Sequence, residues 1–419
     1  MFRLVCNLDP RGPAGKMRQI YYILCIMPLA VMAMSNGRNT ESLLQDGSNQ
    51  FTAKMFSEVT KASPKQSIIL SAISVMPPLA ELALASVDES HDEILKAIGT
   101  PNDDTTKAVF SYANKELKST EGVTLTTANK IYIGNHYELN NDFAALSKDV
   151  FGSEVKTINF EENIKAATEI NTWVEEQTNH RIKDLVDPES LGANTKAVLV
   201  NAIYFKGGWA DPFDKALTEE KDFHVSKNKV IKVPMMYRSG NYGYLESDEL
   251  NSQMIEIPYN GYQASLIVIL PREIEGIEEL LEKIKDPLVL KQSIDNDLKQ
   301  SFGTEVEVSI PKFKIETTTN LKDVLIKMNV TNLFEADKAK LYNLLKDADD
   351  LFIDSAIQKA FIEVNEEGAE AAAANEFNLV GASYVIDPKV PPVFKADRPF
   401  YFAIKMNSLT LFSGVMYGA

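Results

Sequence analysis

The chain has almost no cysteine: two residues, Cys6 and Cys25, among 419. Both precede residue 34, so a fold stapled by disulfides is excluded for the body of the chain, as is thiol catalysis there. Histidine is nearly as scarce, with His91, His136, His180 and His224 only. None falls in an HxH or HExxH spacing, so no metal site is expected. A GxSxG elbow and a glycine-rich phosphate loop are both missing. The scattered Ser, His and Asp residues form no local motif, and the expectation is a protein that is not an enzyme and takes no cofactor. Positive charge is also short. Lys and Arg number 43 against 59 Asp and Glu, a formal net charge of −16. That balance, with no Lys/Arg cluster, argues against nucleic acid and anionic membrane as partners.

Long apolar runs are lacking too, with one exception. Ile20 to Met34 is an uncharged, mostly apolar run of 15 residues preceded by Lys16 and Arg18. It is short for a membrane span, which needs about 20 residues, and it fits a secretory signal. Residues 1–33 are therefore expected to be a signal peptide, cut after Ala33 with Val31 two residues before it. Residues 1–16 are polar and suit a signal poorly, so Met17 is the expected true start. Removing 1–33 takes away Arg3, Asp9, Arg11, Lys16 and Arg18 and both cysteines. The mature chain is then more acidic still, and an exported chain without staples must rest on a substantial apolar core. Asn329-Val330-Thr331 is a glycosylation sequon.

What the sequence does have is periodicity. Residues 34–48 are polar and read as mobile. A helical pattern runs from Phe51 to Val59. Ser67 to Leu70 reads as a short strand. Ser71 to Ala85 reads as a buried helix entered from a serine cap, with Pro77-Pro78 expected to disturb it. Thr124 to Ile133 alternates as a strand. Asn163 to Val186 reads as an amphipathic helix and a turn. Ala197 to Phe205 and Ser265 to Leu270 are unbroken apolar runs typical of buried strands. Glu305 to Ile310 alternates as a half-buried strand, and DRPFYFAIKMNSLTLFSGVM at the end reads as two strands and a turn. No repeat or linker divides the chain, so residues 34–419 are expected to form one domain.

The stretch Phe361 to Val380, FIEVNEEGAEAAAANEFNLV, is the most unusual. Taken alone, its Ala run is a surface helix. Its parity says something else. Ala369, Ala371, Ala373, Asn375, Phe377 and Leu379 share one face of a strand, and Glu370, Ala372, Ala374, Glu376, Asn378 and Val380 share the other. The same segment suits an exposed loop or helix and, later, a central strand. Gly368 supplies a permissive joint before it.

FIEVNEEGAEAAAAN resembles, nearly letter for letter, the hinge of the reactive loop of inhibitory serpins, insect ones in particular. INTWVEEQTNHRIKDLV, NAIYFKGGWADPF (201–213) and DRPFYFAI resemble further stretches of that family, and the likeness covers almost the whole chain. It implies an α+β fold of three β-sheets with surrounding helices and an exposed reactive-centre loop at about 366–392. It implies a secreted, monomeric inhibitor whose partner is a serine protease, held in a covalent complex as a suicide substrate. The alternative on the same fold is a non-inhibitory binding or storage protein; such members often carry bulky, charged or Pro residues in the hinge.

The likeness also assigns residues. The hinge is Glu366, Glu367, Gly368, Ala369, Glu370, Ala371, Ala372, Ala373 and Ala374. Trp209 resembles the tryptophan at the top of the central sheet, whereas Trp173 reads as an ordinary core anchor. Ser71, Ser74 and Asn201 match a polar cluster beneath the sheet, with Ala72 where the family usually has Pro. The position that commonly holds His there is Gln358, which both donates and accepts but cannot act through protonation. The usual spacing puts the reactive bond between Ala382 and Ser383, suited to an elastase-like target. Counting back from Pro399-Phe400 instead makes the loop look long and puts the bond near Pro388, Lys389 and Val390. Lys389 would point to a trypsin-like target and Tyr384 to a chymotrypsin-like one. Ala382 is preferred, because cutting after Lys389 leaves seven extra residues, roughly 23 Å of slack.

Overall fold

The computed structural model describes residues 17–347, 349–369 and 390–418. Two hydrogen-bonded arrays of strands organise it. The smaller is the central sheet, ordered Phe313–Asn320, Ser355–Val364, Ala197–Gly208, Val123–Gly134, Glu154–Ile158. The larger has nine strands, from Ile68–Leu70 at one edge to Val393–Lys395 at the other. Three sheets are expected and two arrays are met because one long strand, Lys229–Ser247, serves two of them. Its first part pairs with Glu219–Ser226 and Phe302–Pro311, and its last residues pair with Ser252–Pro258.

The expected strands are present because apolar β-branched runs suit a sheet covered on both faces. Ala197–Gly208 is buried at nearly every position. Its alternate residues enter different cores. Leu199, Ile203 and Phe205 join the large cluster between the arrays, where Phe205 meets Phe412 with ring centroids 6.3 Å apart. Val198, Val200 and Ala202 join a smaller cluster under the helix Asn163–Gln177, with Ile170 and Val174. Trp173 borders that cluster, edge-on to Tyr132 and beneath Lys130 Nζ, 4.2 Å from the ring centroid.

Two sequence expectations need correction. Residues 34–48 are not loose: they belong to the helix Met17–Ala62, in which Leu44 and Ser48 are buried. Amphipathic burial there outweighs a polar composition. The helix Ala72–Ala85 runs through both Pro77 and Pro78, and Ser71 precedes it without a side-chain cap bond. A proline removes the N–H that would reach the carbonyl four residues back. Pro78 thus frees the Ser74 carbonyl, and Asn201 Nδ2 donates to it at 2.9 Å.

Glu81, on the same helix, is wholly buried; one carboxylate oxygen accepts from Ser147 Oγ and the other has no hydrogen-bond partner. Desolvation pushes its pKa up to about 7, although the Ser147 hydroxyl pulls the other way. The folded state therefore keeps a proton that the unfolded chain has already released. The stability that comes with this proton is complete below the ordinary carboxylate range and is lost as pH rises through about 7. Glu81→Gln is expected to melt a few degrees above wild type at pH 8 and alongside it near pH 5, by scanning calorimetry at one scan rate.

Candidate functional site

The site is a seam in the central sheet. Strand Ser355–Val364 lies parallel to strand Ala197–Gly208, in register from Ser355 opposite Val198 to Ala360 opposite Ile203. Pairing stops there, although both strands continue upward. Gly368 and Ala369 pair antiparallel with Gly208 and Gly207. Val123 occupies the other edge at Gly207, so the short pair lies in the gap between the two long strands. The hinge therefore begins as strand rather than as loop or helix.

A dense set of contacts holds this entry. Trp209 N–H donates to Glu367 O at 3.0 Å and Phe213 N–H to Glu366 O at 2.9 Å. Trp209 Nε1 donates to Asn365 O at 2.8 Å, while its ring stacks on Tyr259 with centroids 4.6 Å apart. Glu366 is buried, accepting from Thr218 Oγ1 at 2.8 Å and facing Lys312 Nζ at 2.9 Å. Burial works to raise its pKa, but the Lys312 ammonium, a backbone hydrogen bond and the Thr218 hydroxyl hold it below the ordinary value. Glu367 pairs with Lys215. Gly368 has φ +127°, and a Cβ there would come within 2.2 Å of Gly207 O, so no other residue fits. The expectation of an exposed loop from residue 366 is corrected accordingly: the chain is docked through Ala369 because the Trp209 and Glu366 contacts bind it to the sheet. Glu370, Ala371, Ala372, Ala373, Ala374, Ala382, Ser383, Tyr384 and Lys389 lie outside the described residues.

Midway down the seam a polar cluster assembles. Ser71, Ser74, Asn201 and Gln358 are all fully buried. Gln358 sits directly opposite Asn201, and Asn129 opposite Asn201 on the other side. Gln358 Nε2 donates to Asn201 Oδ1 at 2.6 Å, to Ser71 O at 2.8 Å and to Ser74 Oγ at 3.3 Å. Its Oε1 accepts from Ser71 N–H at 3.1 Å. Asn201 Nδ2 donates to Asn129 Oδ1. A residue that both donates and accepts satisfies this corner without a charge.

Sequence reasoning missed Asn129, Thr218, Lys215, Lys312, Tyr259 and, at the foot of the seam, Asp354. All act across fifty or more residues of chain, and no local spacing marks them. Asn329 is exposed, just past the helix Leu321–Lys327, with φ +65°. Among the described residues no cluster of His, Cys, Asp or Glu could hold a metal, and no helix is long and apolar enough to cross a membrane.

The model of the Serpin (serine protease inhibitor) family matches residues 46–418. This chain belongs to the serpin family. Similar serpins include Alaserpin of Manduca sexta, 53% identical over 94% of this chain and 98% of its own. Antitrypsin of Bombyx mori is 51% identical over 94% of this chain and 98% of its own. Among solved structures, Serpin48 of Tenebrio molitor superposes with a TM-score of 0.80 at 33% identity, over 90% of this chain and 98% of that one. Its family and its insect relatives thus make this serpin an inhibitor of serine proteases, with a protease as its partner.

Replacing Gln358 with Leu would leave the Ser71 N–H without its acceptor and Asn201 Oδ1 without its Gln358 donor in a dry site, at about 1–3 kcal/mol for each unmet group. The native protein is expected to melt several degrees lower at a fixed scan rate, whereas Gln358→Asn should lose part of that.

Proposed function

We propose that this serpin is a secreted suicide substrate for an elastase-like serine protease, cut between Ala382 and Ser383. The seated pair Gly368-Ala369 is the observation that carries the reading. If its antiparallel register continues, Ala371 meets Phe205, Ala373 meets Ile203, Asn375 meets Asn201 and Leu379 meets Ala197. Odd-numbered residues then turn to the face that carries Ser74, and even-numbered ones to the face under the helix Asn163–Gln177. Small side chains lead, without charge on the inner face, so the strand can slide in with little steric or desolvation cost.

The chemistry follows from this. The protease serine attacks the Ala382 carbonyl, the Ser383 amine leaves, and an ester joins Ala382 to the enzyme. Water would ordinarily release it. Insertion of the cut loop drags the enzyme along the sheet first. From Gly368 to Ala382 is 14 residues, about 46 Å as a strand. Distortion of the oxyanion hole and triad then stalls deacylation. Leu379 opposite Ala197 reaches the foot of the sheet, so an enzyme on Ala382 is pulled against the body, and one on Lys389 is not. Residues 34–419 act as one domain in this reading, and the apolar segment before Ala33 acts as its export signal.

The test is to mix the protein with an elastase, a chymotrypsin and a trypsin; the last is included because one relative is named Antitrypsin. A complex stable on denaturing gels with elastase, and a released peptide starting at Ser383 by mass spectrometry, are expected. Plain cleavage by all three would favour the binding or storage alternative. Ala369→Arg should turn the inhibitor into a substrate, and nicking the wild-type loop should raise its melting midpoint. For export, the secreted protein is expected to start at Met34 and to lose mass on treatment with an N-glycosidase, with Asn329→Gln abolishing that shift.

A further inference from the structure

The foot of the seam carries a closure that the reading above does not use. Asp354 immediately precedes the strand Ser355–Val364. Its Oδ2 accepts from two consecutive backbone N–H groups across the seam, those of Lys196 and Ala197, the latter at 3.1 Å. Its own N–H donates to Ala197 O at 2.9 Å. From the other flank, Lys322 Nζ donates to Asp354 O at 3.0 Å. Lys322 stands on the helix Leu321–Lys327, which directly follows the strand Phe313–Asn320 paired with Ser355–Val364. One carboxylate thus ties the first residue of the central strand to its neighbour. Hydrogen bonds to an ionised acceptor are stronger than neutral ones.

We propose that Asp354 is a positioning residue that limits how far a cut loop can enter the sheet. The proposal rests on the insertion reading above. In the register set by Gly368 opposite Gly208, residues up to Phe377 reach no lower than Leu199 and leave the Asp354 contacts intact. Leu379 and Val380 fall opposite Ala197 and Lys196, whose N–H groups Asp354 holds. The last turn of the mechanism, which draws an enzyme on Ala382 tight against the body, therefore needs this carboxylate to let go. The upper seam opens against the Gln358–Asn201 bond, and the lower seam against Asp354. Insertion has two separable barriers, and Asp354 sets the second.

Two synthetic peptides separate them in the intact protein. One has the sequence of residues 370–381 and reaches the foot of the seam; the other, 370–377, stops above it. Both start beyond the seated Gly368-Ala369. In Asp354→Ala the longer peptide is expected to anneal roughly tenfold faster than in wild type, as befits loss of a charge-assisted contact. The shorter one should anneal at the wild-type rate. Asp354→Asn, which keeps an acceptor oxygen without the charge, should fall between, and it carries the test if the alanine variant does not fold. Equal acceleration of both peptides would overturn the proposal, since Asp354 would then only stabilise the sheet as a whole. Equal rates in all proteins would overturn it as well. If neither peptide anneals to wild type or variant, the insertion reading fails, and the proposal falls with it.

Discussion

A parallel pair of strands sits in the middle of a sheet where an antiparallel third would fit between them. Parallel ladders are slightly weaker per residue than antiparallel ones, because their hydrogen bonds slant. Ser355–Val364 and Ala197–Gly208 are joined this way over six residue pairs and then part from each other. A strand of opposite direction placed between them would turn one parallel ladder into two antiparallel ones. The fold thus leaves its better-paired arrangement unrealised, and side-chain hydrogen bonds reinforce the short parallel ladder that keeps it closed. Gln358 and Asn201 do this in the middle, and Asp354 does it at the foot.

The upper end shows the opposite character. There the carbonyls of Asn365, Glu366 and Glu367 are all engaged by Trp209 and Phe213, and Glu366 is buried with its cation. The hinge is anchored on one side and started on the other, so the register at Gly368-Ala369 is fixed. Gly368 sits opposite Gly208 at this point, where the two backbones approach too closely for a side chain at 368.

Much of this was legible in the sequence, and the reason is periodicity. Buried strands such as Ala197–Gly208 announce themselves by unbroken apolar runs. The serpin motifs drew attention to Ser71 and Ser74 at the start of a buried helix, to Asn201 and Gln358 on adjacent strands, and to Trp209. The rest was hidden because it depends on pairs distant in the chain. Nothing around Lys312 or Thr218 signals Glu366, and an aspartate before a strand reads as a turn residue until its cross-strand N–H partners are seen. Polar residues 34–48 misled because composition does not reveal which face of a helix is covered, and Leu44 turns inward.

The paired prolines of the helix Ala72–Ala85 look like a flaw and act as an obligation. Pro78 leaves a carbonyl that its own helix cannot answer, deep in an apolar interior, and the sheet answers it through Asn201. Positions 78 and 201 are therefore coupled through one carbonyl. An amide restored at 78 would relieve Asn201 of that one debt and leave it still bound to Asn129 and Gln358, whereas losing the asparagine alone would strand the carbonyl in a dry interior.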